Sequence, residues 1–391
     1  MRTQVGIIGA GPAGLTLALM LQRSGIESVV LECRSRAYVE QRVRAGLLEH
    51  NTVELLHELG VGERLEREGL VHSGVYLRRP GHTQHIDMAA LTGRRITIYG
   101  QQELVKDLIA ARIERGGELR FEVSDVAVHD LDSHRPRIAY LDAGEAHELE
   151  CDVIAGCDGF HGVCRASIPA GVLTEHEFSY PFSWLGILAE AEPATDELIY
   201  AWHERGFALY SMRSSRISRL YLQVPADERI GDWPDERIWQ ELQARLASDG
   251  WCVNEGPVLE KGITPMRGYV CEPLRHGRLF LLGDAAHIVP PTGAKGLNLA
   301  LNDVRLLAPA IVDWYERGST AALDAYSELA SRRVWRAQDF SGYMTELLHD
   351  LGGDRFHRRL QLARLEYLSR SSAAVRSLAE NYVGLPAAPD F

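Results

Sequence analysis

Asp284 stands in the stretch GDAAHIVPPTGAKGLNLALNDV, residues 283 to 304, directly after the apolar run Leu279 to Leu282. An apolar run of that length, stopped by Gly283, reads as a buried strand, so the carboxylate sits at the strand's carboxyl end. An acid there can accept hydrogen bonds from a polyol such as ribitol. The adjacent Pro290 and Pro291, with Gly293 and Gly296, then expose backbone amides at the start of a helix near Leu297. A helix N-terminus carries a positive dipole end and stabilises negative charge on a bound ring. The plain alternative is a rigid turn with a helix cap.

A second group of residues has the spacing of a phosphate cradle. Gly9-Ala10-Gly11-Pro12-Ala13-Gly14 fits G-x-G-x-x-G between a short apolar strand (Val5, Ile7, Ile8) and a helix spaced from Leu15 to Leu21. Gly9 permits the tight turn, Gly11 lets the backbone approach a pyrophosphate, and Gly14 allows close helix–strand packing. Glu32 ends the next strand, SVVLE, where a carboxylate can accept both hydroxyls of an adenosine ribose. A dinucleotide site at one end, with a polyol and an anionic ring at the other, describes FAD. A third strand end, in DVIAGCDGFHGVCR, carries Asp158-Gly159. No second G-x-G-x-x-G follows a strand, so a nicotinamide coenzyme has no domain of its own and visits the flavin instead.

Those residues need a scaffold of two or more packed units, and 391 residues can build one. Hydrophobic residues make up 46% and charged residues 25%, which excludes the disordered and fibrous classes. A net charge of −12 argues against nucleic acid as a partner but leaves room for a small anionic substrate. The six cysteines form no C-x-x-C pair, so neither a zinc site nor a dithiol centre is expected, and a reducing cytoplasm fits. The apolar run from Val5 to Leu21 is broken by glycines and lacks a basic flank beyond Arg2, so it reads as strand and helix, not as a leader. No stretch reaches the length of a membrane span.

Periodicity places helices in residues 46 to 69, in QQELVKDLIAARIERG, in DERIWQELQARLAS and through most of 303 to 379. It places two strands around a polar turn in RIAYLDAGEAHELECDVIAGCDG, and a β-rich region from 176 to 268. The expected fold is α/β. Residues 1–70, 99–175 and 269–315 make a discontinuous Rossmann-type FAD-binding domain. Residues 71–98 and 176–268 make a β-sheet substrate domain, and 316–391 a helical C-terminal region.

The three markers together, GAGPAG, AGCDGFHG and GDAAHIVPPTGAKGLNLA, resemble the single-component aromatic-ring flavoprotein monooxygenases, and the similarity runs from TQVGIIGAGPAGL to AENYVGLP. The resemblance implies hydroxylation of 4-hydroxybenzoate to 3,4-dihydroxybenzoate with NAD(P)H and O2, through a flavin C4a-hydroperoxide. It implies that Ser211, Arg213 and Tyr221 hold the carboxylate, a role suited to the planar guanidinium fork. Without it, these three read as ordinary polar residues on a sheet face. It further implies that Tyr200 and Tyr382 pass the phenolic proton, that His72 is the solvent end of that relay, that the Pro291 carbonyl meets the substrate hydroxyl, and that Thr292 lines the pocket. A phenolate is the better nucleophile, and a hydrogen bond to its oxygen favours that form. A lone histidine such as His72 otherwise reads as structural.

By the same resemblance, Arg42, Arg44, Gln101, Asp158, Arg219, Asp284, Lys295, Leu297 and Asn298 contact the flavin, in addition to Gly9, Gly11, Ala13, Gly14 and Glu32. Arg42, His161 and Arg267 meet the reduced coenzyme. One departure stands out: NADPH-specific members carry an arginine after the glutamate, and here that position is Cys33. Arg34 or Arg36 can stand in, so NADPH and NADH both stay open. The same machinery on another para-substituted benzoate, such as 4-aminobenzoate, a non-catalytic flavin-binding protein and an NAD-linked dehydrogenase are the competing readings. Trp335, Phe340, Tyr343 and Met344 look exposed on the C-terminal helices, and the family pairs there, so a homodimer is expected.

Overall fold

The strands Val5–Ile8, Ser28–Leu31 and Val153–Gly156 are short and buried along their whole length, the pattern of strands covered on both faces. In the computed structural model, which describes residues 1–44 and 46–384, they form the parallel centre of a six-stranded sheet. Glu118–Arg120 lies beyond one side and Leu279–Leu281 beyond the other, with antiparallel Arg275–His276 closing that edge. The register sets Ile8 level with both Leu31 and Gly156, and Gly156 level with Leu281. Four strands therefore end together, and Gly9, Glu32, Asp158 and Gly283 emerge along one carboxyl edge, where open α/β sheets bind ligands. Helices Pro12–Arg23, Gln101–Glu114 and Gly296–Arg317 pack around this sheet.

An eight-stranded sheet follows the order His287–Ile288, Val258–Glu272, Thr174–Ala189, Ser218–Pro225, Ala208–Met212, Ile199–Ala201, Gly74–Arg79 and His82–Asp87. Leu185, Ile187, Tyr210, Leu220 and Leu222 point to one face and pack on Trp239 and Leu242 of the helix Asp235–Leu246. Trp184, Tyr200, Phe207 and Leu209 point to the other and meet Phe340, Met344, Leu378 and Tyr382 of the C-terminal helices. The alternation of period two sorts the side chains between these two cores.

The architecture is the expected α/β type, with a β-sheet unit and a helical C-terminal region. The helices there are Ala321–Leu348, Arg355–Arg370 and Ser372–Val383. Residues 385–391, counted in that region from the sequence, lie outside the described residues. Three details differ from the periodicity. The stretch read as two strands is three, because Arg137–Asp142 and Glu145–Glu150 close a hairpin at Ala143-Gly144, both at positive φ, before Val153–Gly156 begins. Ile96–Ile98 pairs with Leu47–Leu48 on one side and Leu70–His72 on the other in a small sheet, not with the large one. Phe340 and Met344 are buried, so of the four aromatic and Met residues expected at the surface only Trp335 and Tyr343 remain exposed. No helix among the described residues is long and apolar enough to cross a membrane.

Candidate functional site

The glycine turn has the geometry its spacing demands. Gly9 adopts φ +108°, and a Cβ there would lie 2.3 Å from the Cys157 carbonyl oxygen. A Cβ on Gly14 would lie 2.1 Å from the Gly9 carbonyl. On Gly11 it would meet nothing within 4 Å among the described residues, so only that glycine faces open space. Pro12 opens the helix and Ala13 is buried behind the turn. Glu32 accepts from the Ala10 amide through Oε2 and from the Arg34 amide through Oε1, each at 2.8 Å. Cys33 is exposed, and partial desolvation of its sulfur, with the Glu32 charge, holds the thiol above its ordinary value. Arg34 and Arg42 both lie over the Tyr38 ring, at 5.4 and 5.9 Å, whereas Arg36 pairs with Glu40 at 2.7 Å.

Asp284 follows Gly283, which takes φ +59° so that the chain turns sharply out of the strand. The turn is pinned from below: Asp303 Oδ2 accepts from the Gly283 amide at 2.9 Å and lies 2.7 Å from His287 Nε2. Burial works against a charged His287, but the Asp303 carboxylate overrides it and raises the imidazole above its ordinary range. Asp284 itself is exposed at the sheet edge. Burial and then the Arg42 charge hold the Arg44 guanidinium below its ordinary value, while Asp284 pulls it the other way.

The next turn, Pro291–Gly293, ends at Ala294 in the left-handed region, φ +54°, a conformation costly for a residue with a Cβ. Ala294 N–H donates to the Pro291 carbonyl at 2.9 Å. Helix Gly296–Arg317 then begins, with Leu297 and Asn298 in its first turn, where amides lack intrahelical partners. The Asn298 side chain is committed to the protein: it accepts from Glu49 N–H and the Thr52 hydroxyl and donates to the Leu47 carbonyl. Lys295 Nζ meets Glu49 Oε1 at 2.5 Å and the Tyr382 carbonyl at 2.9 Å, and stands 5.1 Å over the Phe340 ring.

Gln101 is the first residue of its helix. Asp158 Oδ2 accepts from the Cys164 amide at 2.9 Å, and burial raises its carboxyl. Asp158 Oδ1 and Gln102 Oε1 are buried without a hydrogen-bond partner among the described residues. His161 meets the Phe160 ring edge-on at 5.1 Å, and Arg267 lies 3.9 Å over the same ring.

The large sheet lays the polar side chains in rows. Register pairs Tyr200 with Leu209, Leu209 with Tyr221, and Tyr221 with Gly186. The next row pairs Ser211 with Arg219. Tyr200 and Tyr221 thus share a face two strand spacings apart, about 10 Å. Gly186 makes the room: a Cβ there would lie 3.1 Å from Arg219 Nη2 and 3.3 Å from the Tyr221 ring. Arg213 Nη1 donates to Ser211 Oγ at 3.2 Å and to the Met212 carbonyl at 2.9 Å. Burial holds the Arg213 guanidinium below its ordinary value. Burial would raise Tyr221, yet Arg219 and Arg213 together bring its hydroxyl below the usual phenol range. Arg213 Nε and Arg219 Nη1 are buried with no partner among the described residues.

The hydroxyls of Tyr200 and Tyr382 lie 2.6 Å apart, both buried, and burial raises both phenols so that the pair stays protonated. His72 is not joined to them by a hydrogen bond. Its ring is 1% exposed, neither nitrogen finds a partner among the described residues, and burial lowers it to about 4. The charges that act on it are Glu197 and Asp196.

Glu49, His287, Asp303 and Gly186 were not singled out in the sequence. Glu49 belongs to a stretch that reads as helix, and Asp303 looks like a polar position of an amphipathic one. Only Asp303, buried on a helix whose apolar face is otherwise continuous, leaves a trace in the periodicity.

The unpaired buried atoms at Asp158, Gln102, Arg213 and Arg219, the open approach to Gly11 and the acid at the sheet edge fit FAD together with an anionic substrate. Comparison with known proteins agrees. The FAD binding domain family matches residues 2–341. The chain is 48% identical to the p-hydroxybenzoate hydroxylase of Acinetobacter baylyi over 390 residues, covering 99% of this chain and 96% of that one. It is 25% identical to the 3-amino-4-hydroxybenzoate 2-monooxygenase of Streptomyces cremeus, over 78% of this chain and 77% of that one. The crystal structure of p-nitrophenol 4-monooxygenase from Pseudomonas putida shares the fold, with a TM-score of 0.86 over 98% of this chain and 99% of that one at 19% identity.

Proposed function

This chain belongs to the FAD-binding aromatic hydroxylases, and from that premise we propose that it converts 4-hydroxybenzoate to 3,4-dihydroxybenzoate with NAD(P)H and O2. The observation that carries the substrate is the pairing of two unlike ends on one sheet face. Arg213, Ser211 and Tyr221 form a cationic, hydrogen-bonding end, and the buried Tyr200–Tyr382 pair forms a neutral one.

Bound FAD supplies reducing equivalents from the nicotinamide and an electrophilic oxygen from O2. Gly9, Gly11, Ala13, Gly14 and Glu32 would hold its adenosine and pyrophosphate end. Asp284, Arg44, Gln101, Asp158, Lys295, Leu297 and Asn298 would hold the ribityl and ring end, with Arg219 and Arg42 beside it. Arg42, His161 and Arg267 would receive the coenzyme.

The protein's own residues do the rest. Arg213 offers a bidentate fork to the carboxylate, with Ser211 and Tyr221 as further donors. The Tyr200 hydroxyl donates to the substrate oxygen, which stabilises the phenolate, the form whose ortho carbon attacks an electrophile. The substrate proton moves to the Tyr200 oxygen as Tyr200 passes its own across the 2.6 Å contact to Tyr382 and Tyr382 releases its own, so both hydroxyls stay neutral. His72, which no hydrogen bond joins to the pair, would carry that proton toward solvent only through an intervening water. The Pro291 carbonyl and Thr292 close the pocket over the ring. The apolar stripe Phe356, Leu360 and Tyr367 on helix Arg355–Arg370, exposed at 67, 40 and 63%, is where a homodimer would form. The proposed setting is the cytoplasm.

The test is NADPH and NADH oxidation by purified protein with and without 4-hydroxybenzoate, with products separated by chromatography. Stimulated oxidation with stoichiometric 3,4-dihydroxybenzoate is expected. Stimulation that yields peroxide alone assigns the pocket to another para-substituted benzoate, such as 4-aminobenzoate. No stimulation in FAD-loaded protein overturns the substrate assignment.

A further inference from the structure

A polar stripe lies on the inner face of helix Ala321–Leu348. Gln338, Ser341, Thr345 and, just past the helix end, His349 recur every three or four residues and so share one face. Ser341, Thr345 and His349 are completely buried. Gln338 donates to the Ile288 carbonyl at 2.7 Å, at the start of the Pro290–Pro291 segment. The Thr345 hydroxyl lies 2.7 Å from the Ser341 carbonyl and 2.9 Å from Thr292 Oγ1. A hydroxyl has one proton, and the carbonyl can only accept. Thr345 therefore donates to Ser341, the back-bond usual for threonine in helices, and the Thr292 hydroxyl donates to Thr345.

The histidine's proton is placed by the same logic. His349 Nδ1 lies 3.0 Å from the Thr345 carbonyl, so Nδ1 carries the hydrogen. Nε2 lies 2.7 Å from the Trp184 indole N–H and accepts from it. The ring is a neutral imidazole, stacked on Phe182 and packed at a tilt of 33° against Phe207. Trp184 in turn packs 4.9 Å from the Tyr221 ring.

We propose that the buried chain Trp184–His349–Thr345–Thr292 positions the Pro291–Gly293 turn against the large sheet, fixing the distance between the carboxylate-binding and hydroxyl-binding ends of the substrate pocket. Thr345 and His349 act through Thr292 and Trp184 and are positioning residues. The proposal rests on the 4-hydroxybenzoate reading above.

Three variants of the FAD-loaded enzyme test it. Thr345→Val keeps shape and removes the hydroxyl; Thr345→Ser keeps the hydroxyl; His349→Phe keeps the stacking and removes both hydrogen bonds. The readouts are the dissociation constant of 4-hydroxybenzoate from the flavin absorbance change, the anaerobic rate of flavin reduction by NADPH, and product and peroxide formed per NADPH. A turn displaced by a fraction of an ångström should lower product per NADPH about fivefold or more in Thr345→Val and His349→Phe, with peroxide replacing it. Substrate affinity and flavin reduction should stay within about threefold, because neither residue contacts substrate. Thr345→Ser should match the wild type. Wild-type coupling in both Thr345→Val and His349→Phe overturns the proposal; where His349→Phe fails to fold, Thr345→Val decides alone. A wild-type enzyme that makes no 3,4-dihydroxybenzoate overturns the substrate reading and this proposal with it.

Discussion

Acidification should destabilise the wild-type protein more than His349→Phe, by about 2 kcal/mol between about pH 7.5 and about pH 5. His349 is completely buried, and burial lowers its imidazole from 6.5 to about 3, against a smaller upward pull from its bond to the Thr345 carbonyl. In the unfolded chain the same histidine binds a proton below about 6.5. Between those two values the unfolded state holds more protons, so stability rises with pH and falls as the solution is made acid. Each unit below the unfolded value costs about 1.4 kcal/mol, and one and a half units give about 2. His72, lowered to about 4, has the same sign, and the raised His287 has the opposite one, but both are present in either protein and cancel in the comparison. The assay is urea denaturation of wild type and variant at the two pH values, with FAD saturating throughout. If the two proteins lose equal stability on acidification, His349 is charged in the fold. The neutral imidazole, and with it the bond that Nε2 accepts from the Trp184 indole N–H, would then be wrong.

Four further outcomes follow from the site geometry. Gly14→Ala should lose about 2 to 3 kcal/mol of stability in denaturant unfolding, because its Cβ meets the Gly9 carbonyl at 2.1 Å. Gly11→Ala, with open space around the new carbon, should fold normally and instead weaken FAD binding about tenfold or more by fluorescence titration; tight FAD binding there would remove the pyrophosphate from that turn. Arg213→Gln should weaken 4-hydroxybenzoate about 100-fold in equilibrium titration, with partial recovery in Arg213→Lys, and unchanged affinity would place the carboxylate elsewhere. Tyr200→Phe should keep substrate affinity within a few-fold but slow hydroxylation about 10²-fold or more in single-turnover measurements, and a full rate would exclude the tyrosine pair from the proton's path.

The geometry of the turn proposed for the cofactor was legible because it depends on local backbone conformation. Gly9, Gly11 and Gly14 sit within six residues, and their spacing encodes the turn directly. Asp284 was legible because a buried strand and a glycine precede it. The proposed substrate end was not legible from spacing alone. Tyr200, Ser211, Arg213 and Tyr221 are brought onto one face by strand register, which pairs 200 with 209 and 209 with 221, and no short-range pattern carries register. Resemblance supplied those residues where periodicity could not. The surfaces were misjudged for a related reason: Phe340 and Met344 look like surface positions until a whole sheet is laid against their helix. His349 and Thr345 escaped notice because they continue a helical repeat whose apolar members dominate it, and polar residues on a buried face gain meaning only once their partners are known.

The electrostatics of the pocket follow from what each charge faces, not from the total of −12. Solvent ions screen distant charges beyond about 8 Å, so the acidic surface has little say in the interior. On the sheet side, Arg213 and Arg219 flank Tyr221, and both guanidinium groups keep a buried nitrogen without a partner among the described residues. On the helix side, Lys295 is already bound to Glu49 and to the Tyr382 carbonyl. The tyrosine end is therefore neutral overall and the arginine end cationic. A benzoate entering with its carboxylate toward the arginines gains a charge-assisted pair, whereas the reversed orientation would bury that carboxylate against two protonated phenols beside a lysine already paired with Glu49, a costly desolvation. On the proposed reading this asymmetry, more than the shape of the pocket, directs the hydroxyl of the ring toward Tyr200. It also explains why Glu49 stands where it does: an unpaired Lys295 would give the carboxylate a second place to go.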